Sequence, residues 1–201
     1  MVSAEAANEL MSLSDFLFWQ ERQPINYELL DGIPVPTVKA MAGASRRHDM
    51  VTVNMIAEFR TRLKGKPCRP STADQSIQTF RGTRRPDVLV ECDPVDDTSL
   101  LANDPRVVVE VLSPSTTRYD RFQKLEEYKL VDAISVILLV DTETPSVTVW
   151  RRASTGWSFE DLSGLKAVIE LPEVGCQLPL SELYDGLTFP PPDALRPPLI
   201  S

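Results

Sequence analysis

One histidine, three cysteines and no long apolar run set the first limits on this chain of 201 residues. Cys68, Cys92 and Cys176 are odd in number and far apart, a pattern that fits neither a disulfide framework nor a CxxC metal pair. Free thiols and a reducing cytoplasm are the simplest expectation. No window approaches the roughly 18 apolar residues of a membrane span, and the start, MVSAEAANEL, lacks the basic region and apolar core of a signal peptide. The sequence therefore predicts a soluble protein that is not exported and does not enter a membrane. GxxxxGK(S/T), GxGxxG and HExxH motifs are all missing, which argues against nucleotide cofactors and zinc-protease chemistry. Three Trp and seven Phe do not cluster as a base-stacking platform, so aromatic recognition of single strands has no support.

What is present fits one globular domain over residues 1 to 189, followed by a proline-rich tail from 190 to 201: 42% of the chain is hydrophobic and 25% charged. A net charge of -8, evenly spread, would disfavour nonspecific binding of polyanions. It is not evenly spread. Between Arg46 and Arg85 ten basic residues face only three acidic ones, Asp49, Glu58 and Asp74, so this segment carries +7. It is either a solvated helix face and loop or a surface that follows a nucleic-acid backbone.

Periodicity and turn chemistry outline the elements. Residues 12 to 21 form a short amphipathic helix capped by Ser12 or Ser14. Two apolar runs, Tyr27 to Leu30 and Ile33 to Val35, are joined by Asp31-Gly32, a strong hairpin signal. Met50, Val53, Ile56, Ala57 and Leu63 recur at mostly helical spacing over 46 to 63, ended by Gly65 and Pro67. Short strands are expected at 68–71, 76–80, 86–92 and 106–112. A helix follows over 117–130, its start from Thr117 to Asp120 shaped like a capping box. Strands at 133–140, 146–151 and 157–162 come next. The expected architecture is α/β or α+β, with a mixed sheet flanked by helices.

Two strands carry a carboxylate where packing prefers hydrocarbon. Under the period-2 rule Val107, Val109 and Val111 line one face, while Glu110 interrupts the other between Val108 and Leu112. An unpaired carboxylate buried there would cost several kcal/mol. If the strands at 86–92 and 106–112 are antiparallel neighbours, Asp87 converges on Glu110, and two converging carboxylates ask for a cation between them. Oxygen ligands suit Mg²⁺ or Mn²⁺, with the Val111 carbonyl as a further donor. On the next helix Asp120, Lys124 and either Glu127 or Tyr128 share a face; Asp120 has its capping role, and Lys124 could reach a bound phosphate. His48 is either a polar capping group or a functional one. Glu28, beside the Asp-Gly turn, is either solvent-facing or part of the site.

Tyr27-Glu28-Leu29-Leu30-Asp31-Gly32, His48 opening a helix, Arg85-Pro86-Asp87-Val88, and the run from Val108 to Thr116 followed by Asp120, Lys124 and Tyr128 closely resemble the Uma2 family. The likeness runs from about Leu13 to Phe189. It implies a fold like the PD-(D/E)xK restriction endonucleases, an N-terminal helix and hairpin extension on that core, a bacterial origin and a metal-dependent nuclease activity on DNA. By position, Asp87 matches the aspartate of the PD element and Glu110 the acid of (D/E)xK. Leu112 stands where the parent pattern has its lysine, and Lys124 matches the migrated substitute. Glu28 and His48 also match the family pattern. A catalytically inactive nuclease-fold dimer that binds nucleic acid or protein is the alternative. A homodimer is expected in either case, since two-fold pairs are the commonest assembly.

Overall fold

The computed structural model describes residues 10–37, 45–92, 98–112 and 118–190; of 118–121 only the backbone is described. Helix α1 (Leu13–Gln20) is capped as expected, the Ser12 side chain accepting from the Asp15 N–H. Strands β1 (Tyr27–Leu30) and β2 (Ile33–Pro36) pair antiparallel around Asp31 and Gly32, whose φ angles of 51° and 82° are both positive. Asp and Gly tolerate that tight turn at low cost. In α2 (Arg46–Arg62) the Ser45 side chain accepts the N–H of His48, and Arg60 and Arg62 complement the negative helix end.

The remaining elements are β3 (Arg69–Thr72), β4 (Ile77–Thr79), β5 (Gly82–Arg84), β6 (Val88–Glu91), β7 (Pro105–Leu112), α3 (Arg118–Lys129), β8 (Val136–Asp141), β9 (Ser146–Ala153), β10 (Gly156–Ser163), β11 (Val168–Leu171), β12 (Cys176–Pro179) and α4 (Leu180–Leu183). Six strands form a mixed sheet in the order β10-β9-β8-β7-β6-β3. Within it β7 and β8 run parallel, and α3 provides the crossover that a parallel pair requires. A second sheet has the order β2-β1-β5-β4, and β11 pairs with β12. The capping box expected from Thr117 to Asp120 rests on side chains outside the described residues.

Alternation along β7 places the core. Val107, Val109 and Val111 pack with Val51, Met55 and Phe59 of α2. Val108 packs on the opposite face with Leu89, Ile137 and, from α3, Leu125 and Tyr128. A strand covered on both faces buries nearly every side chain, and each valine contributes about 1.5–3 kcal/mol. Glu110 therefore projects toward α3, as the period-2 reading required.

Three features depart from the sequence reading. The strand expected at 76–80 is the first half of a second hairpin, β4–β5, which packs β5 against β1. A Cβ at Gly82 would come within 2.1 Å of the Leu29 carbonyl oxygen, so that approach requires glycine. Beyond Ser163, β11, β12 and α4 add Ile169, Leu171, Leu178, Leu180 and Leu183 to the α2-side core. Four-residue strands on either side of Pro172 and Gly175 are too short to declare a period. Third, Cys68 and Cys92 form a disulfide. The β3–β6 register pairs Arg69 with Glu91, so the two cysteines face each other one step outward. Separation in sequence concealed this proximity, and the cysteines no longer argue for a reducing compartment.

Candidate active site

The site begins where β6 leaves β7. Val88 pairs with Val109, which places Asp87 opposite Glu110 at the end of the ladder. The Val111 N–H donates to Asp87 Oδ2 across 2.6 Å. His48 Nε2 meets the same oxygen at 3.3 Å from the first turn of α2. The His48 ring is in turn 3.5 Å from the Thr52 hydroxyl through Nδ1. Two contacts on one oxygen fix the rotation of the Asp87 carboxylate.

Glu110 is approached from α3. The Tyr128 hydroxyl donates to Glu110 Oε1 at 2.7 Å, and Lys124 Nζ lies 3.6 Å from that oxygen. The same ammonium lies 3.5 Å from Glu28 Oε1, which also accepts the Arg85 N–H at 2.9 Å. Burial pushes the Glu110 carboxyl up to about 7 against the pull of Lys124, and the charge of Asp87 adds to the rise. Burial and the neighbouring Glu110 likewise hold the Tyr128 phenol well above its ordinary value, so it donates as a neutral hydroxyl. For Glu28 burial acts upward, but Lys124, Arg84 and the Arg85 N–H together hold it below the usual carboxylate range.

The structure thus places two sets of contacts side by side, His48, Asp87 and the Val111 N–H in one and Glu28, Lys124, Glu110 and Tyr128 in the other, joined where the strand register sets Asp87 opposite Glu110. Glu28 is buried between elements and does not face solvent. The basic segment is corrected in part. Arg84, counted there as a surface cation, is 1% exposed; its Nε donates to Glu127 Oε2 at 2.8 Å and its Nη1 to Glu28 Oε2 at 3.0 Å. Arg85 is buried and bonds the Tyr27 carbonyl, and Arg81 pairs with Asp31. A run of like charges in sequence gave no sign of which cations turn inward. The helical spacing put either Glu127 or Tyr128 on the face of Lys124; in the structure both are engaged, Glu127 by Arg84 and Tyr128 by Glu110. Arg60, Lys64, Lys66 and Arg69 remain exposed and line a cleft at the far end of α2. At 1.5 Å per residue, Arg60 is roughly 18 Å from His48 along the helix.

The donor set fits a hard divalent cation. Asp87 and Glu110 are opposed carboxylates in a buried setting. In a strand the N–H and C=O of one residue leave on the same side, so the Val111 carbonyl exits toward Asp87. Two carboxylates and a carbonyl are the oxygen donors that Mg²⁺ takes, since it binds through one or two carboxylates and keeps several waters. Among the described residues no group of three or more His, Cys, Asp or Glu side chains is arranged to hold a metal ion. Among the described residues no helix is long and apolar enough to cross a membrane.

A mixed sheet with helices on both faces, and two acidic residues where a pair of its strands parts, defines the restriction-endonuclease-like class of nuclease fold. A solved structure described as "a putative nuclease belonging to DUF820" from Anabaena variabilis shares this fold, with a TM-score of 0.67 at 16% identity over 86% of this chain and 97% of that one. An uncharacterized Synechocystis protein, slr1290, is 32% identical over 89% of this chain and 94% of its own length. A second from the same organism, sll1609, is 23% identical over 82% and 94%. Residues 13–181 match the Uma2 family, described as "Putative restriction endonuclease", and the chain belongs to that family.

Proposed function

We propose that the protein is a Mg²⁺- or Mn²⁺-dependent endonuclease that hydrolyses phosphodiester bonds of DNA at Asp87, Glu110 and Lys124. One observation carries the reading: a single lysine ammonium lodged between Glu28 and Glu110, with Asp87 opposite Glu110 on the neighbouring strand. Asp87, Glu110 and the Val111 carbonyl would hold the metal. When bound, the metal lowers the pKa of a water ligand and offsets charge on the scissile phosphate. His48 and the Val111 N–H keep the Asp87 carboxylate oriented for that task. Lys124 orients the attacking water or donates to a phosphate oxygen as negative charge grows there. Glu28 holds Lys124 within reach of both. Arg46, exposed on the first turn of α2 two residues before His48, suits a backbone phosphate, whereas Arg47 is engaged by the Thr142 and Thr188 carbonyls. A homodimer would present two sites, one for each strand of a duplex.

Purified protein incubated with supercoiled and linear DNA and Mn²⁺ or Mg²⁺ tests the reading, with Glu110→Ala run in parallel. Cleavage by the wild type that the variant loses is the expected result. Equal cleavage by both proteins would assign the activity to a contaminant. No cleavage of DNA by either would favour a nuclease-fold module that binds nucleic acid or protein, and an RNA substrate in the same assay separates that outcome from a ribonuclease.

A further inference from the structure

We infer that Arg84 and Glu127 are positioning residues: together they clamp α3 to the hairpin strand β1 and thereby hold the Lys124 ammonium between Glu28 and Glu110. The inference rests on the role proposed above for Lys124.

Arg84 is among the largest side chains in the protein with no contact to solvent. Its guanidinium divides its donors. Nε and Nη2 form a two-pronged bond to both oxygens of Glu127, and Nη1 turns to Glu28 Oε2. Glu127 lies on α3 one turn beyond Lys124, and Glu28 lies on β1, so one side chain ties two elements of different sheets and helices. The Thr79 hydroxyl adds a 3.0 Å bond to Glu127 Oε2 from β4. Burial works against the charge on Arg84, but Glu127 and Glu28 outweigh it, so the guanidinium stays charged.

The consequence for Lys124 is electrostatic. Glu28 Oε2 is taken by Arg84, and Oε1 is shared between the Arg85 N–H and Lys124. Because Arg84 already compensates Glu28 and Glu127, Lys124 is left within 3.6 Å of Glu110 and is not drawn fully onto the other two. Without the fork Glu127 would keep Arg81, 3.6 Å away, whereas Glu28 would lose its Arg84 bond and draw Lys124, already 3.5 Å from it, away from Glu110. Lysine at position 84 carries the charge but cannot reproduce three donors in a plane, so it would satisfy one carboxylate and not both.

Arg84→Lys and Glu127→Gln test the clamp, each compared with wild type in three measurements. Mn²⁺ affinity should change less than about threefold, since Asp87, Glu110 and Val111 are untouched. The rate of DNA cleavage should fall by roughly 10- to 100-fold in kcat, with KM nearly constant, as expected when a reacting group is misplaced by about an ångström. Acylation of Lys124, followed by mass spectrometry, should speed up severalfold while that of exposed Lys166 does not. This last readout does not depend on activity. If wild type cleaves nothing, the nuclease reading fails while the acylation pattern still decides the clamp. Unchanged Lys124 reactivity in both variants, when each retains its fold by circular dichroism, would overturn the inference, as would an unchanged kcat in an active enzyme.

Discussion

Lys124 and Glu110 meet across 3.6 Å although they come from different elements, the ammonium from α3 and the carboxylate from β7. Leu112, two residues after Glu110 on the same strand, holds the place where the PD-(D/E)xK pattern has its lysine. A side chain at 112 shares the face of Glu110, and the helix that packs on that face can supply the same charge from above. The crossover from β7 to β8 makes this possible, because α3 must return across the sheet directly over the strand end that carries Glu110.

Replacing Lys124 separates metal binding from turnover. Lys124→Met keeps the bulk of the stem and removes the charge. Cleavage should fall by about 100- to 1000-fold, the cost of losing one donor aimed at developing charge. Mn²⁺ affinity, read by calorimetry, should be retained or rise, since a competing cation beside Glu110 has gone. A variant that cleaves as fast as wild type would remove Lys124 from the site.

Removing the charge on Arg84 tests stability. Arg84→Met leaves Glu28 and Glu127 buried without their main partner, and breaking a buried pair from one side costs about 3–5 kcal/mol. Urea unfolding should show a loss of that order. Adding Glu28→Gln and Glu127→Gln to the same variant should recover a substantial part of it, because the stranded charges disappear. No recovery would mean that packing, not charge, sets the loss.

The strands and helices that carry the site were legible because each declares itself locally: Asp31-Gly32 for the hairpin, valine alternation for β7, an apolar period for α2. The antiparallel pairing that sets Asp87 against Glu110 needed one further assumption, that consecutive strands are neighbours, and it held. What was hidden depends on long-range contact. Arg84 is one of ten basic residues in its segment, and only the packing of β5 between β1 and β4 turns it inward. Cys68 and Cys92 face each other only because β3 pairs with β6. The β11–β12 pair escaped notice because four residues are too few for a period to stand out.

The elevated Glu110 carboxyl predicts how metal-free protein responds to pH. Its folded value is about 7 and its ordinary value 4.5, so between those limits the folded state holds a proton that the unfolded state has lost. This group's contribution to stability therefore falls as pH rises through that window. Glu28, held below its ordinary value, acts in the opposite sense: its contribution is present above about pH 4.5 and lost as pH falls further. At pH 7.5 Glu110→Gln should be more stable than wild type by about 3 kcal/mol, and at pH 5 the difference should be below about 1 kcal/mol. Mg²⁺ should stabilise wild type at pH 7.5 and leave the variant unchanged. An equal difference at both pH values would show that Glu110 ionises normally.

The disulfide links stability to the same site. Cys68 and Cys92 are 24 residues apart, and the loop they close carries β3, β4, β5 and β6 with both Arg84 and Asp87. By chain entropy alone a loop of that length is worth about 3–4 kcal/mol through the unfolded state. Reduction, or Cys68→Ser, should lower Tm by roughly 6–16 °C for a chain of this size, while Cys176→Ser should leave it unchanged. Because the loop delivers Asp87 to Glu110 and Arg84 to Glu127, reduced protein near its lowered Tm should also bind Mn²⁺ more weakly than oxidised protein at the same temperature. Scanning calorimetry with and without reductant, followed by a metal titration of each form, gives both numbers. Equal Tm values would mean that the β3–β6 ladder holds the loop without the covalent link, and metal affinity should then not change either.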